Sequence, residues 1–189
     1  MKNLSSYPVF TKFNKALVDK IEIYRRELTL WNRKINLISR KEGETDYHFV
    51  DSACFADAIR NEVGSWVDVG SGGGFPGLAA SILLPDFDFT LYEVIARKYA
   101  FLHHVKVACS SSAVIRNEAM KPDCGHRWDN AVCRALMSIP EWEDLMGNNA
   151  KTLWFLASAD QAATAPHWEV KATWEIENHG THFLLRKDI

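Results

Sequence analysis

The 189-residue chain has no long apolar run, no closely paired cysteines and no excess of charge of either sign. Its apolar stretches fall well short of the ~20 residues that cross a bilayer, so we expect no membrane span. Its formal net charge of −2 creates no global basic field that would attract a polyanion. No Cys-x-x-Cys pair is present, which argues against disulfides and structural zinc and favours a reduced, cytoplasmic protein.

Two common site motifs are also absent. No Gly-Lys-Ser/Thr follows the glycine-rich stretch, which disfavours a phosphate-cradling P-loop. The seven histidines include no His-Glu-x-x-His helix signature, so the sequence predicts no metal site.

The stretch Trp66–Leu84 organises the rest of the chain. Apolar Trp66–Val69 is typical of a buried parallel strand, Gly70–Gly77 of a tight turn, and Leu78–Leu84 of a helix. A strand, a glycine turn and a helix in this order form the first unit of a nucleotide-binding α/β sheet.

Two carboxylates flank that turn. The glycines fit the spacing Gly72-x-Gly74-x-x-Gly77, and Asp68 lies two residues before the turn. Glu93 ends the second predicted strand, 19 residues beyond Gly74, where an acid can accept hydrogen bonds from ribose hydroxyls. We therefore favour an adenosine-cofactor site over a purely structural turn with a surface acid.

A basic helical region precedes the first strand. Apolar residues at steps of three and four predict a helix of about six turns, and a second helix from near Thr45 to Asn61. Within Lys12–Lys41 the chain has nine Lys or Arg against three acids, mostly off the apolar stripe. This face is either simply solvated or a modest sign of an anionic partner. The apolar stripe consists of Phe13, Leu17, Ile21, Tyr24, Leu28, Trp31 and Ile35.

Strand and helix patterns alternate through the remainder of the chain. The alternation predicts an α/β protein with a mostly parallel, seven-stranded sheet ending in an antiparallel hairpin. We expect an N-terminal helical cap (residues 1–64) and a core (residues 65–189) in one compact unit. Predicted strands are Phe87–Glu93, Ala113–Ile115, Asn130–Cys133, Thr152–Leu156, Val170–Glu177 and His182–Arg186; predicted helices are Ala96–Ala108, Pro140–Met146 and a weak stretch around Asp160–Ala165.

Ligands of such sheets bind beyond the carboxyl ends of the strands. There, Asn117 could hydrogen-bond an adenine edge, and Phe75 could pack against an apolar part of the ligand. Arg134 could hold a cofactor carboxylate or a substrate phosphate, or could form an ion pair that ties the sheet edge to a loop. Cys133 is read as a buried hydrophobe rather than a covalent nucleophile.

The motifs together resemble the bacterial small-subunit ribosomal RNA guanine-N7 methyltransferases, the RsmG (GidB) family. The resemblance covers nearly the whole chain. It rests on Trp31-Asn32-x-Lys34-x-Asn36-Leu37, His48-x-x-Asp51-Ser52, Asp68-Val69-Gly70-Ser71-Gly72-x-Gly74-Phe75-Pro76-Gly77, Arg97-Lys98-x-x-Phe101-Leu102, Arg116-Asn117-Glu118 and Arg134-Ala135-x-x-Ser138.

This resemblance implies a Rossmann-like methyltransferase that uses S-adenosylmethionine to methylate a guanine in 16S ribosomal RNA, within the small subunit or an assembly intermediate. By this resemblance the cofactor would contact Gly70, Phe75, Asn117, Glu118 and Arg134, with Glu93 on the ribose. The turn pattern adds Asp68, Gly72 and Gly74 to the expected cofactor site, and Arg134 is also the expected catalytic residue.

Three positions depart from the family pattern. Tyr47 replaces an arginine, Cys133 replaces a serine, and Ala157-Ser158 replaces a Lys-Gly pair after the fifth strand. Two alternatives therefore stay open: a methyltransferase with another nucleic-acid or small-molecule target, and a catalytically impaired relative that binds cofactor or RNA.

Overall fold

The computed structural model describes residues 3–38 and 45–189. Two short 3-10 segments, Leu4–Ser6 and Pro8–Lys12, precede the first helix. The helices are α1 (Lys15–Asn32), α2 (Thr45–Ile59), α3 (Gly77–Leu83), α4 (Ala96–Ala108), α5 (Ile139–Met146) and α6 (Ala159–Ala163); the strands are β1 (Ser65–Val69), β2 (Asp88–Tyr92), β3 (Val114–Arg116), β4 (Trp128–Arg134), β5 (Ala150–Ser158), β6 (Glu169–Ile176) and β7 (Gly180–Asp188).

The strands form one seven-stranded sheet in the order β3-β2-β1-β4-β5-β7-β6. The pairs among β1 to β5 are parallel, and β7 runs antiparallel between β5 and β6. The predicted mixed α/β sheet with a C-terminal antiparallel hairpin is thus confirmed. The sequence order of the strands changes direction between β1 and β4. In this topology the ligand crevice lies beyond the carboxyl ends of these two strands.

Side-chain alternation along the strands divides the core into two layers. Trp66, Val132 and Trp154 face the layer that contains α1 to α4. Val67 and Phe155 face the opposite layer, which contains α5. The predicted cap helices therefore share one hydrophobic core with the sheet, while the boundary at residue 64 stays a prediction.

Several predicted elements differ in length from the observed ones, α1 and β5 among them. Helix α1 begins only after Asn14, whose side chain accepts a hydrogen bond from the Ala16 amide at 2.9 Å, so Phe13 lies outside it. Strand β5 is longer than the predicted Thr152–Leu156 because it pairs on both sides, with β4 and β7. Ser39, expected to end the first helical pattern, lies outside the described residues.

One basic residue of the cap helix is buried rather than solvated. Arg25 is only 7 % exposed, and its guanidinium pairs with Glu22 at 2.7 Å and with Asp46 of α2 at 3.0 Å. The apolar periodicity missed this because a paired arginine can occupy a core position between helices.

Helix α3 packs directly against β1 at Gly77. A Cβ on Gly77 would lie 2.5 Å from the Cβ of Asp68, and the Gly77 amide donates to Asp68 Oδ2 at 3.0 Å. Only glycine permits this close approach, which brings the start of α3 to the end of β1.

We expect Gly77→Ala to reduce the free energy of unfolding by about 2–4 kcal/mol, from overpacking and a disturbed hydrogen bond. Urea titration measures the change. The control is Gly125→Ala, at φ +71° with no neighbour within 4 Å, which should lose only about 1 kcal/mol from backbone strain. Equal losses in both variants would contradict the packing explanation.

Candidate functional site

The glycine turn after β1 is held by the end of β2. The amides of Gly70 and Ser71 both donate to the Tyr92 carbonyl, at 2.9 and 3.1 Å. The Gly72 amide donates to Glu93 Oε2 at 2.8 Å. The turn is therefore fastened on its β2 side by backbone and carboxylate acceptors.

Glu93 lies where the sequence predicts an acid beside the turn. Its second oxygen, Oε1, accepts from the Ile95 amide at 2.8 Å, and the residue is only 4 % exposed. Asn117 donates from Nδ2 to the Glu93 carbonyl at 2.8 Å. Each carboxylate oxygen keeps further acceptor capacity, since an ionised carboxylate offers about four lone-pair positions.

Three glycines of the turn, Gly70, Gly72 and Gly74, have different surroundings. A Cβ on Gly72 would meet only the Gly70 carbonyl, at 3.7 Å, so this glycine borders open space. A Cβ on Gly74 would overlap the Tyr24 hydroxyl, and Gly70 faces the side chain of Leu136. The missing side chain at Gly74 therefore leaves room for Tyr24 of α1, whereas the missing side chain at Gly72 leaves one surface of the turn open.

Two cavities meet at Gly70. The larger, of about 380 Å³, includes Gly72, Phe75 and Arg134 in its walls. The smaller, of about 180 Å³, includes Glu118 and is otherwise mostly apolar. The larger cavity, called the cleft below, is also lined by Leu37, Ile38, Tyr47, His48, Ser71, Gly73, Lys98, Ala135, Leu156, Ala157, Ser158, Gln161 and His182.

Asp68 lies beneath the turn and lines neither cavity. It is 1 % exposed, and burial raises the pKa of its carboxyl from 3.8 to about 6, although hydrogen bonds from Ser71 and Gly77 oppose the rise. In this structure Asp68 fastens the turn to α3; its predicted contact with a cofactor stays a prediction.

Arg134 is held by a buried carboxylate. Its Nη1 donates to Asp51 Oδ2 at 2.8 Å, and Asp51 is fully buried. The other oxygen, Oδ1, meets Trp174 Nε1 at 3.0 Å and His182 Nδ1 at 2.9 Å. Burial alone would raise the pKa of Asp51, but the bond from His182 and the charge of Arg134 outweigh it and lower that pKa below its usual value.

Arg134 also determines the protonation of His48. Its Nη2 lies 2.8 Å from His48 Nδ1, and a guanidinium only donates, so Nδ1 is the acceptor. Burial and the Arg134 charge lower the pKa of His48 to about 3, so the ring is neutral. Because Nδ1 is the acceptor, the single ring proton lies on Nε2. That atom is buried without a hydrogen-bond partner, and the ring stacks on Phe75 with centroids 5.0 Å apart.

Sequence reasoning missed these partners as site residues. His48 and Asp51 belong to a motif that the sequence displays, and their spacing places both on one face of α2. No local pattern marks Trp174 or His182, because they reach the site through the fold of the hairpin.

Phe75 and Cys133, two other residues singled out in the sequence, are both packed into the protein interior. Phe75 lines the cleft but also stacks on Tyr24 of the cap, with centroids 5.5 Å apart. Burial raises the pKa of Cys133 well above its usual value, which leaves it an inert thiol as the sequence predicts. Ala135 adopts the left-handed φ of 52° directly after Arg134.

Across residues 3–38 and 45–189, no group of three or more His, Cys, Asp or Glu side chains is arranged to hold a metal. None of the helices in those ranges combines the length and apolar character that a bilayer span requires.

Comparison with known proteins gives a family. The family described as rRNA small subunit methyltransferase G matches residues 17–178. The chain belongs to this family. Two relatives named Ribosomal RNA small subunit methyltransferase G are each 35 % identical to it: over 136 residues in Syntrophus aciditrophicus, covering 67 % of this chain, and over 146 residues in Flavobacterium psychrophilum, covering 74 %.

The aligned part spans 56 % and 66 % of those two relatives, less than two thirds of each. Among solved structures, a precorrin-6y C5,15-methyltransferase from Geobacter metallireducens is similar, with a TM-score of 0.54 at 12 % identity over 78 % of this chain and 90 % of that one. At 12 % identity, this likeness concerns the fold alone.

Asp68 provides a pH-dependent prediction. Its raised pKa means that the ionised carboxyl disfavours the folded state, a cost absent below about pH 4 and complete above pH 6–7. Asp68→Asn should therefore be more stable than the wild type by about 3 kcal/mol at pH 8, and equal to it near pH 4. Urea titrations at several pH values measure this difference; a difference that does not change with pH would refute it.

The Arg134–Asp51 pair provides a second prediction. Arg134→Ala leaves a buried carboxylate without its cation, and we expect a loss of about 3–5 kcal/mol. Asp51→Asn combined with Arg134→Ala should lose about 1–3 kcal/mol less than the two single losses added together. Urea titrations of the wild type, the two single variants and the double variant complete a double-mutant cycle. Strictly additive losses of unfolding free energy would show that the two side chains do not couple.

Proposed function

We propose that this protein transfers a methyl group from S-adenosylmethionine to N7 of a guanine in 16S ribosomal RNA. The observation that carries the proposal is the open side of Gly72, between the Glu93 carboxylate and the cleft. Family membership and a sheet topology with a crevice at this edge support it. Action on ribosomal RNA would take place in the cytoplasm.

The residues around the turn suit an adenosyl sulfonium. Glu93 would bind the ribose hydroxyls with its remaining lone pairs, and the apolar cavity beside Glu118 suits an adenine ring. Gly70, Gly72 and Phe75 would border the aminoacyl part, with Asn117 supporting the Glu93 segment. When bound, the cofactor supplies a methyl group on a positively charged sulfur.

Guanine N7 needs little chemical help from the protein. It presents a lone pair at the base edge, so no general base is required to create the nucleophile. The contribution of the cleft is alignment and exclusion of water. A buried, inert Cys133 agrees with this because no covalent enzyme intermediate is needed.

Cations at the cleft favour a nucleic-acid substrate. Lys98 and Arg134 line the cleft, and Arg33, Lys34 and Arg97 are exposed side chains of the predicted basic cap and of α4. Such groups bind phosphates without reading sequence. Ala157-Ser158, where the family pattern has Lys-Gly, also borders the cleft, so this chain would hold its substrate without that lysine.

The function is tested by methyl transfer. The protein is incubated with labelled S-adenosylmethionine and small ribosomal subunits from cells that lack this methylation. We expect labelled 7-methylguanosine after digestion of the RNA to nucleosides. Label in another nucleoside would support the alternative target, and binding of S-adenosylhomocysteine with no transfer would support an impaired relative.

Cofactor binding is tested by Gly72→Ala. Because the added methyl would project into open space, protein packing should be little affected, while S-adenosylhomocysteine should bind at least 10-fold more weakly in calorimetry. Gly180→Ala is the matched control, since Gly180 also has a positive φ, of +77°, and no neighbour within 4 Å. Unchanged affinity in Gly72→Ala would show that the turn is only structural.

A further inference from the structure

The C-terminal hairpin brings a histidine into the cleft. Strand β7 runs antiparallel to β5, so its beginning lies at the same sheet edge as the end of β5. In this register His182 pairs with Ser158, and both residues line the cleft. The hairpin thus places an imidazole beside the turn and Arg134.

One ring nitrogen of His182 is already committed. Nδ1 lies 2.9 Å from Asp51 Oδ1, and an ionised carboxylate only accepts, so Nδ1 carries a proton. Nε2 makes no hydrogen bond to any described residue and is not among the buried unpartnered atoms. The side chain keeps 19 % of its surface exposed, so Nε2 is the atom that a ligand in the cleft can reach.

Several groups surround the His182–Asp51 pair. The single negative charge of Asp51 is matched by the Arg134 guanidinium, which does not lose its proton. The other groups that face this pair are the Trp174 indole, the neutral His48 and the Tyr47 ring, whose centroid lies 6.0 Å from that of His182. When Nδ1 carries the only ring proton, Nε2 keeps a lone pair that can accept a hydrogen bond from a ligand in the cleft.

We propose that His182 contacts the substrate, with Nε2 accepting a hydrogen bond from N1–H of the target guanine. This inference rests on the proposed function. As the N7–carbon bond forms and the carbon–sulfur bond breaks, with its electron pair left on sulfur, positive charge passes to the purine. N1–H then becomes a stronger donor but keeps its proton, so this hydrogen bond is strongest in the transition state.

The same contact would select guanine over adenine. Adenine has a lone pair at N1, which would face the lone pair of Nε2 without a hydrogen between them. A site built around a hydrogen bond strongly rejects a ligand that lacks the partner atom. Asp51 acts through the ring, as a positioning residue that fixes which nitrogen of His182 faces the cleft.

Two substitutions of His182 test the roles of its two ring nitrogens separately. Asparagine can reproduce the donor at the Nδ1 position and keep the bond to Asp51, but it lacks an atom at Nε2. Glutamine can place an acceptor near the Nε2 position but loses the bond to Asp51. We expect His182→Asn to lower kcat/KM for small subunits on the order of 10²-fold with little change in Tm. His182→Gln should keep more activity and lose more Tm.

A further measurement tests the chemistry. In ¹⁵N NMR with S-adenosylhomocysteine present, the Nε2 resonance should move on adding guanosine monophosphate and stay in place with 2-aminopurine ribotide, which has no N1–H.

The outcomes distinguish this inference from the proposed function. If the wild type forms no 7-methylguanosine, the proposed function is wrong and this contact falls with it. If the wild type forms 7-methylguanosine and His182→Asn is equally active, only the proposed contact between His182 and the guanine is wrong. Lower activity of His182→Asn that merely follows a lower Tm, or an Nε2 shift with both ribotides, would also overturn it.

Discussion

A single buried carboxylate joins the parts of the protein that meet at the cleft. Asp51 on α2 accepts from Arg134 of β4, Trp174 of β6 and His182 of β7. Leaving such a charge without its cation would cost several kcal/mol, so these elements cannot shift independently. The cap helix therefore determines how the arginine at the end of β4 is directed, and how the hairpin meets the site.

Two more carboxylates, those of Asp68 and Glu93, fix the conformation of the glycine turn. Asp68 binds the first amide of α3, and Glu93 binds the amide of Gly72. Together they hold the turn in a conformation whose outer surface stays open, as at Gly72. A turn held in this way needs little rearrangement to bind a ligand, which is the benefit of preorganisation for both affinity and alignment.

The local features of the chain were predictable from the sequence. The strand–turn–helix unit and the bounds Ala96–Ala108 of α4 follow from periodicity and turn residues, and both are observed. The roles within the turn were harder to assign. Gly74 accommodates a side chain of the cap, and Phe75 packs in the cap as well as in the cleft. Spacing alone cannot separate a glycine that faces a ligand from one that faces a packed ring.

By itself, the sequence determined the fold class and the family, because these depend on short-range patterns, and it predicted a site at one sheet edge. Only the tertiary structure decided which charges pair. Asp51 meets Trp174 across 123 residues, and Arg25 is buried because an acid on another helix lies beside it. Electrostatic pairing depends on distance in space and on exclusion of water, and neither quantity is present in the order of the residues.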